Sequence, residues 1–261
     1  MRFGGHTSCL AITPAGSAVP ELLLDAGTGI RSVTRLLAGQ PFRGTIALTH
    51  LHWDHVQGLP FFSAADRDDA SVRLLLPAPL DGSAAEAALE RGFSPPHFPI
   101  TPSQLRGAWE VAGIEPGTIR LGAVTLLARE IPHKGGRTFG YRVSDGTMSI
   151  AYLPDHSPTD LGPGQDGLGA QHDAALELAT DVDVLVHDSF WYAEDFDPGR
   201  TLGHAAAEYA IGLAEAAGAR QVLLFHHKPD RTDSELEKLA AGLSGAPVPV
   251  ALAADGEVIC R

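Results

Sequence analysis

Short apolar runs bounded by turn-forming residues recur along the whole chain, and most of them have the length of a β-strand. Glycine, proline and Asp-Gly pairs separate consecutive runs, and Asp145-Gly146 is a hairpin signal. The pattern predicts strands over residues 7–12, 21–25, 45–48, 72–76, 118–121, 124–131, 138–143, 147–153, 182–186, 221–225, 248–252 and 257–259.

Helices are predicted where apolar residues return every three or four positions. One spans 30–38 and ends at Gly39, and another spans 83–90 with Ser83 as N-cap and Glu86 completing a capping box. The remaining predicted helices span 103–112, 173–179, 204–217 and 234–243.

The sequence predicts one domain rather than two. The proline-rich segment 92–103 contains Phe93, Phe98 and Ile100, so it is too apolar for a solvated linker and is predicted to be an ordered loop. Two β-rich halves that each carry helices favour one α/β domain over residues 1–261, with two sheets packed face to face and helices outside.

The charge of the chain limits its partners. The formal net charge is −13, whereas a protein that grips duplex or long single-stranded nucleic acid needs a basic face. Small anionic substrates stay compatible, because bound divalent cations would make a cleft locally positive. The first residues form no apolar signal segment and no run reaches membrane-spanning length, so we expect a cytoplasmic protein with no membrane partner.

The two cysteines, Cys9 and Cys260, lie near opposite ends of the chain. A disulfide between them is conceivable, since the termini of sandwich folds can lie close together. A reduced pair of buried thiols is favoured for a cytosolic protein.

The strongest chemical signal directly follows the predicted strand 45–48. His50, His52, Asp54 and His55 lie within six residues. Alternate residues of an extended segment point the same way, so His50 and His52 can share one ion while Asp54 and His55 face a second after the chain turns. Imidazole and carboxylate without thiolate suit Zn²⁺, Mn²⁺ or Fe²⁺. The alternative, an exposed polar loop, is disfavoured by this density of ligands after a strand.

Three further polar residues each follow a predicted strand. His133 follows 124–131, Asp155 follows 147–153 and His226 follows 221–225. Each alone could be an ordinary strand end. Together they repeat the arrangement of the first motif, so one rim of a sandwich would gather them beside the loop 50–55.

These residues resemble the metallo-β-lactamase superfamily over nearly the whole chain. The family signature His-x-His-x-Asp-His matches the loop 50–55, and the acidic residue that follows a second strand in the family matches Asp25. The later His, Asp and His of the family match His133, Asp155 and His226.

The resemblance implies a four-layer αββα sandwich with mixed sheets and two divalent metal ions. One ion would be bound by His50, His52, His133 and Asp155. The other would be bound by Asp54, His55, Asp155 and His226, so that Asp155 bridges the pair. Asp25 would orient the histidine loop through hydrogen bonds rather than bind metal.

Departures from the family pattern favour one branch of it. Lactam-hydrolysing members often carry cysteine where Asp155 stands, so β-lactamase activity is not expected. The stretch from His133 to Phe139-Gly140-Tyr141-Arg142 resembles the phosphodiesterase branch, which contains the transfer-RNA 3′-processing endonucleases and the phosphonate-pathway cyclic phosphodiesterase. Members of this branch also carry a histidine that starts a helix after the Asp strand, and His204 matches it.

A long arm that grips transfer RNA lies between the third His and the Asp in those endonucleases. Here 22 positions separate His133 from Asp155 (155 minus 133), which leaves room for a hairpin only. The missing arm and the charge of −13 argue against transfer-RNA processing.

The resemblance therefore implies a phosphodiesterase that hydrolyses a small cyclic or nucleotide-type diester with a hydroxide held between two cations, zinc or manganese, with iron also compatible. His204 is the candidate general acid, and Asp54 is the second candidate catalytic residue. Hydrolysis of a carboxylic ester, thioester or lactone is the alternative, and a non-catalytic metal- and ligand-binding protein comes third. A homodimer is a family-level expectation.

Several neighbouring residues have less defined roles. His187 and Asp188 follow the predicted strand 182–186 and are expected to support the site rather than bind metal. His204 has an alternative role as an ordinary histidine at a helix start. The roles of His156, His227, Lys228 and the loop 92–103 stay open.

Overall fold

The computed structural model describes residues 2–260, which divide into two units that each carry one β-sheet. The N-terminal unit is His6–Glu115, and the C-terminal unit is the chain from Pro116 onward together with the residues up to Gly5. Both sheets combine parallel and antiparallel pairs, so the predicted α/β class with mixed sheets is confirmed. The single domain over residues 1–261 stays a prediction.

The sheet of the N-terminal unit places two loops at one edge. Leu24 of β2 pairs with Ala47 of β3 in parallel register, so the residues that follow the two strands leave the sheet side by side. β1 is antiparallel to β2, while β3, β4 and β5 continue in parallel. The strands, in sheet order, are β1 (Leu10–Ile12), β2 (Leu22–Leu24), β3 (Arg43–Ala47), β4 (Ser71–Pro77) and β5 (Ala108–Ile114).

The sheet of the C-terminal unit also collects strand ends at one edge. Its strands are β6 (Gly117–Leu121), β7 (Val124–Ile131), β8 (Thr138–Ser144), β9 (Ser149–Leu153), β10 (Val184–Asp188), β11 (Val222–Phe225) and β12 (Val250–Leu252). β9 to β12 are parallel, and β7 runs in the same direction as β9 because both are antiparallel to β8. The loops after β7, β9, β10 and β11 therefore leave the sheet at the same edge.

Each unit has its own apolar core. In the N-terminal unit α1 (Ile30–Leu36) buries Ile30 and Val33 with the strands, and α2 (Trp53–Val56) and α3 (Ala85–Glu90) complete its helices within the described residues. In the C-terminal unit the small residues Ala207, Ala210 and Ala214 let α5 (Ala207–Ala217) pack closely into the core beside α4 (Asp173–Ala179). α6 (Asp233–Gly242) adds Leu236 to this core.

The predicted helix 103–112 is wrong. A short 3₁₀ turn, Pro102–Gln104, precedes β5, which pairs with β4 at seven positions. Gly107 has a φ of 89°, which a helix cannot continue through, and Trp109 and Val111 alternate with polar Glu110 as strand residues do. Pairing with a neighbouring strand therefore outweighs the local helical pattern.

Other boundaries also differ from the predictions. The capping box at Ser83 is wrong, because α3 has Ala84 as N-cap and the Ser83 N–H donates to Asp81 Oδ1 at 2.9 Å. The predicted strand 257–259 does not form. The helix predicted from His204 begins at Ala207, and His187 and Asp188 are the last two residues of β10 rather than following it.

Neither cysteine forms a disulfide. Cys260 is exposed, so the predicted pair of buried thiols is wrong for it. Cys9 is partly buried, and desolvation, followed by the charge of Asp25, raises the pKa of its thiol. Among residues 2–260, the helices lack the length and apolar character needed to cross a bilayer.

Candidate metal centre

The predicted ligands form one cluster in each unit. In the N-terminal unit the chain passes from β3 through His50 and His52 into α2, which carries Asp54 and His55. The ring centroid of His50 lies 4.4 Å from that of His52 and 4.2 Å from that of His55. The structure therefore brings the three histidines together on one short segment.

The Asp25 carboxylate, which follows β2, holds this segment through hydrogen bonds. It is fully buried and accepts hydrogen bonds from the Thr49 N–H (2.7 Å) and the Thr49 hydroxyl (2.9 Å) through Oδ1. Its Oδ2 atom accepts from His55 Nδ1 at 2.8 Å. Asp25 has a φ of 61°, a conformation that non-glycine residues adopt rarely and at some cost.

These hydrogen bonds assign the tautomers of two histidines. His55 donates its Nδ1–H to Asp25. Thr49 gives its only hydroxyl proton to Asp25, so its oxygen accepts the Nδ1–H of His50 at 3.0 Å. Both imidazoles are left with the lone pair on Nε2, the atom that a metal ion would bind.

The donor chemistry of this cluster fits a cation. His55 Nε2 lies 3.5 Å from Asp54 Oδ2, so a nitrogen lone pair faces a carboxylate oxygen. Two lone pairs at this separation repel each other unless a cation lies between them. Ligands about 2.0–2.1 Å from a tetrahedral ion lie about 3.4 Å apart, which is close to the observed separation.

In the C-terminal unit, a histidine Nε2 atom also faces a carboxylate oxygen, and this occurs twice at Asp155. Asp155 is nearly fully buried, and its Oδ2 atom lies 3.3 Å from His133 Nε2 while its Oδ1 atom lies 3.3 Å from His226 Nε2. Charge-assisted hydrogen bonds are usually about 2.7–2.9 Å long, so these contacts are wider than direct bonds. One carboxylate with an imidazole at each oxygen suits a residue that contributes to two metal ions.

A backbone carbonyl fixes the ring of His133. His133 donates its Nδ1–H to the carbonyl of Gly203 at 2.7 Å, which leaves the lone pair on the Nε2 atom that faces Asp155. A Cβ at Gly203 would lie 3.0 Å from this Nδ1 atom, and Gly203 has a φ of 92°, so the position requires glycine. His226 follows β11 with a φ of 56°, a left-handed conformation that non-glycine residues adopt rarely.

His204 and Asp188 form a hydrogen-bonded pair beside this cluster. His204 Nδ1 donates to Asp188 Oδ2 at 2.8 Å. The His204 ring stacks on Phe190 at 4.7 Å and on His226 at 4.9 Å, and the His133 ring lies 5.2 Å away. Asp188, His204 and His226 could also hold a metal ion, but the short direct bond between the first two describes a carboxylate that orients an imidazole.

His187 lies behind Asp188 and does not join the predicted ligands in the C-terminal unit. It donates its Nδ1–H to the carbonyl of Asp188 at 2.8 Å, and His156 donates its Nδ1–H to His187 Nε2 at 3.0 Å. Both rings are fully buried, and desolvation lowers the pKa of each, so both are neutral near pH 7. His187 therefore contacts the backbone of Asp188, and its role as a supporting residue stays a prediction.

The basic residues after His226 are engaged with other side chains. Lys228 Nζ lies 4.9 Å from the Trp191 ring and 3.7 Å from Asp230. Arg231 binds Asp195 at 2.7 Å. Burial lowers the pKa of His227 to about 4.

Thr49, Gly203 and Phe190 also contact the candidate ligands or His204, and the sequence patterns did not single them out. Thr49 stands directly before the histidine motif, so its hydroxyl was a recognisable candidate for an orienting contact. Gly203 and Phe190 contact His133 and His204 only through the folding of distant segments, and no local pattern in the sequence predicts those contacts.

The chain is similar to a known protein family. A family model described as "Beta-lactamase superfamily domain" matches residues 21–227. Ribonuclease Z of Limosilactobacillus fermentum is 26% identical over 223 residues, which cover 69% of this chain and 68% of that protein. Ribonuclease Z of Exiguobacterium sibiricum is 28% identical over 229 residues, which cover 73% of each.

Among solved structures, the metallo-beta-lactamase fold protein YhfI from Bacillus subtilis matches with a TM-score of 0.64. The match covers 97% of this chain and 95% of that chain at 19% sequence identity. At this identity the likeness concerns the fold.

Proposed function

This chain is a metal-dependent hydrolase of the β-lactamase superfamily, and we propose on that premise that it is a two-metal phosphodiesterase acting on small cyclic or nucleotide-type diesters. As the family resemblance implies, one ion would be held by His50, His52, His133 and Asp155, and the other by Asp54, His55, Asp155 and His226. When bound, the ions would activate a water for attack and neutralise charge on the phosphoryl oxygens.

The hydrogen bond between His204 and Asp188 is the observation that carries the phosphodiesterase proposal. The alkoxide that leaves a phosphodiester needs a proton, and a positioned imidazole can supply it for a gain of about 10²–10⁴ in rate. Asp188 holds the Nδ1 side of His204, and the stacked rings of Phe190 and His226 fix its plane. A site that only bound metal ions would not need this oriented proton donor.

The other candidate catalytic residue is Asp54. Its Oδ2 atom faces His55 Nε2 at 3.5 Å, and its side chain is partly exposed whereas His55 is fully buried. We propose that Asp54 binds metal and orients the attacking water from this accessible position.

The relatives, the short connection between two predicted ligands and the charge of the chain support a small phosphodiester as the substrate. The relatives named Ribonuclease Z favour phosphodiester chemistry. The positions between His133 and Asp155 are taken up by β8 and β9, which pair as an antiparallel hairpin within the sheet. The transfer-RNA nucleases carry their RNA-gripping arm in this stretch, and the hairpin takes its place here. The net charge of −13 also disfavours binding of a long RNA.

Hydrolysis of a carboxylic ester, thioester or lactone is the alternative, because the same metal-activated water could attack an acyl carbon. A substrate panel with Mn²⁺ or Zn²⁺ separates the two: cyclic nucleotides and bis-nitrophenyl phosphate against acyl thioesters and lactones, with a transfer-RNA precursor as a third arm. We expect turnover of the phosphodiesters. Turnover of acyl substrates alone, or of the RNA alone, would contradict the proposal.

A variant of His204 tests its role as the acid. His204→Ala should lower turnover of diesters with alkoxide leaving groups about 10²-fold or more, and that of nitrophenyl esters much less, because nitrophenolate leaves without a proton. The metal content should stay unchanged. Equal losses on both substrate types would rule out the acid role.

Cytoplasmic location and homodimer formation stay predictions.

A further inference from the structure

Two large aromatic side chains near the histidine loop are exposed to solvent. Trp53 is 71% exposed and Phe61 is 57% exposed. Trp53 stands between His52 and Asp54 at the start of α2, and Phe61 ends the 3₁₀ turn that follows. Exposed aromatic surface beside a cluster of candidate ligands indicates a binding surface.

Both side chains border a cavity of about 290 Å³ within the N-terminal unit, the Trp53 pocket. Its walls include Leu51, Phe93 and Phe98. The Phe98 ring meets Phe61 and Phe93 edge to face, with centroids 5.9 Å and 4.9 Å apart. Small-molecule pockets usually measure about 300–1,000 Å³, so this volume suits one ring system rather than a run of nucleotides.

The polar side chains of the Trp53 pocket are one amide and one imidazole. Gln57 and His97 line it, and among the described residues no Asp, Glu, Lys or Arg does. A phosphate bound here would find no lysine or arginine. An alkyl chain would make no use of the amide and the imidazole. A heteroaromatic base suits both features, because its faces can pack on the aromatic rings while its edge forms hydrogen bonds with Gln57 and His97.

We propose that the Trp53 pocket binds the base of a nucleotide-type phosphodiester. The inference rests on the proposed function and adds the part of the substrate that is recognised. Leu51 and Trp53 alternate along the chain with His52 and Asp54, so a base held in the pocket keeps its attached phosphodiester beside these two ligands.

A matched pair of substrates tests the pocket. 2′,3′-Cyclic AMP and 1-O-methylribose 2′,3′-cyclic phosphate share the reacting ring and differ in the base. We expect Phe61→Ala to lower kcat/KM for 2′,3′-cyclic AMP about tenfold, because it removes a stacking surface, and to leave the value for the base-free analogue within about twofold. Leu80→Ala is the control, since Leu80 is 79% exposed and lies outside the pocket lining.

Equal losses on both substrates, or no preference of the unaltered protein for the substrate with a base, would overturn the inference. Calorimetric titration of the metal-loaded protein with adenosine keeps the test independent of turnover. Adenosine binding that weakens in Phe61→Ala and persists in Leu80→Ala supports the pocket even if no diester is hydrolysed, in which case the proposed function alone fails. Absence of adenosine binding, or tighter binding of hexanol, would overturn the inference while diester turnover still supports the proposed function.

Discussion

The carboxylate of Asp188 connects His204 to the backbone of two loops, the one after β9 and the long connection between β10 and α5. Besides the bond from His204 Nδ1 at 2.8 Å, it accepts hydrogen bonds from the N–H groups of His156, Phe190 and Ala205. The pair is therefore held rigidly, since the carboxylate cannot rotate without breaking several bonds. This explains why the helix predicted from His204 begins only at Ala207: Asp188 captures the His204 ring and the Ala205 N–H.

Asp188→Asn should lower kcat about 10- to 100-fold for diesters with alkoxide leaving groups and change KM little. The amide keeps the shape of the side chain but loses the negative charge that faces His204, and its N–H₂ group opposes backbone donors. Steady-state kinetics on alkoxide and nitrophenyl esters provide the measurement. Asp69→Asn, an exposed acid in the N-terminal unit, is the control. A loss of the same size on nitrophenyl esters would indicate a general structural defect instead.

The N-terminal metal loop could be predicted from sequence because its ligands are contiguous. The spacing of His50, His52 and His55 after a strand is enough to bring their rings together. The orienting role of Asp25 came from the family resemblance, and in the structure Asp25 follows β2, the strand that pairs in parallel with β3. The contacts of Asp25 with Thr49 and His55 need the register of these strands, which the sequence does not provide.

Some predictions failed because distant segments decide the local structure. Residues 103–112 have helical spacing, but β4 offers a partner along the whole of β5, so a strand forms. His133, Asp155 and His226 were recognised as strand ends, whereas the orientation of His133 depends on the carbonyl of Gly203, 70 positions away. The metallo-β-lactamase fold itself was predicted from the pattern of ligands and is confirmed by the family match and the solved structures.

Asp25→Asn should weaken metal binding about 10- to 100-fold while the chain stays folded. Asparagine tolerates the φ of 61° at this position, so the backbone is kept. Both carboxylate oxygens of Asp25 accept hydrogen bonds, whereas the asparagine amide has only one oxygen that can accept. His55 therefore loses the anionic acceptor that fixes its Nδ1–H. Competition with a chromophoric chelator measures the metal affinity without reference to turnover. An unchanged affinity would show that Asp25 is not needed to orient the loop.

Asp155→Ala should abolish both turnover and stable metal binding. Its two oxygens face His133 and His226, so its removal takes one ligand from each of the two proposed ions. Elemental analysis after desalting should give about two ions per chain for the unaltered protein and less than one for the variant. Treatment with a chelator should abolish turnover, and added Zn²⁺ or Mn²⁺ should restore it in the unaltered protein only. Two ions retained by Asp155→Ala would contradict the bridging role.

Tyr192 should make the protein less stable at alkaline pH. Burial raises the pKa of its hydroxyl to about 12, above the value of about 10 for an unfolded tyrosine. Below pH 10 the hydroxyl is neutral in both states. Between pH 10 and 12 only the unfolded chain loses the proton, so the free energy of unfolding falls as the pH rises, by at most about 2.7 kcal/mol.

Tyr192→Phe removes this term. Urea unfolding at pH 8 should differ little between the variant and the unaltered protein, because the buried hydroxyl makes no hydrogen bond among the described residues. At pH 11 the variant should be the more stable of the two. Tyr209 also has a raised pKa, so part of the alkaline loss should persist in the variant. An identical pH dependence for both proteins would show that Tyr192 ionises equally in the folded and unfolded chains.

Two glycine-to-alanine substitutions should have opposite effects on stability. A Cβ at Gly58 would lie 2.1 Å from the Gly27 carbonyl oxygen and 2.6 Å from Ile30 Cγ2, so the turn after α2 must move away from the loop that follows Asp25. Such overpacking costs about 1–3 kcal/mol. A Cβ at Gly212 meets no atom within 4 Å, and alanine is favoured over glycine inside a helix such as α5 by about 0.5–1 kcal/mol.

Urea unfolding at neutral pH should therefore show Gly58→Ala below and Gly212→Ala above the unaltered protein. Gly58→Ala should also weaken metal binding, because the Gly58 N–H bonds the Ala26 carbonyl at 2.8 Å and the Ala26 N–H bonds the His55 carbonyl at 2.8 Å. A shift of this turn would therefore also move His55, whose ring Asp25 orients. If Gly58→Ala lowered stability without changing metal affinity, the turn would support the fold alone and not the position of His55.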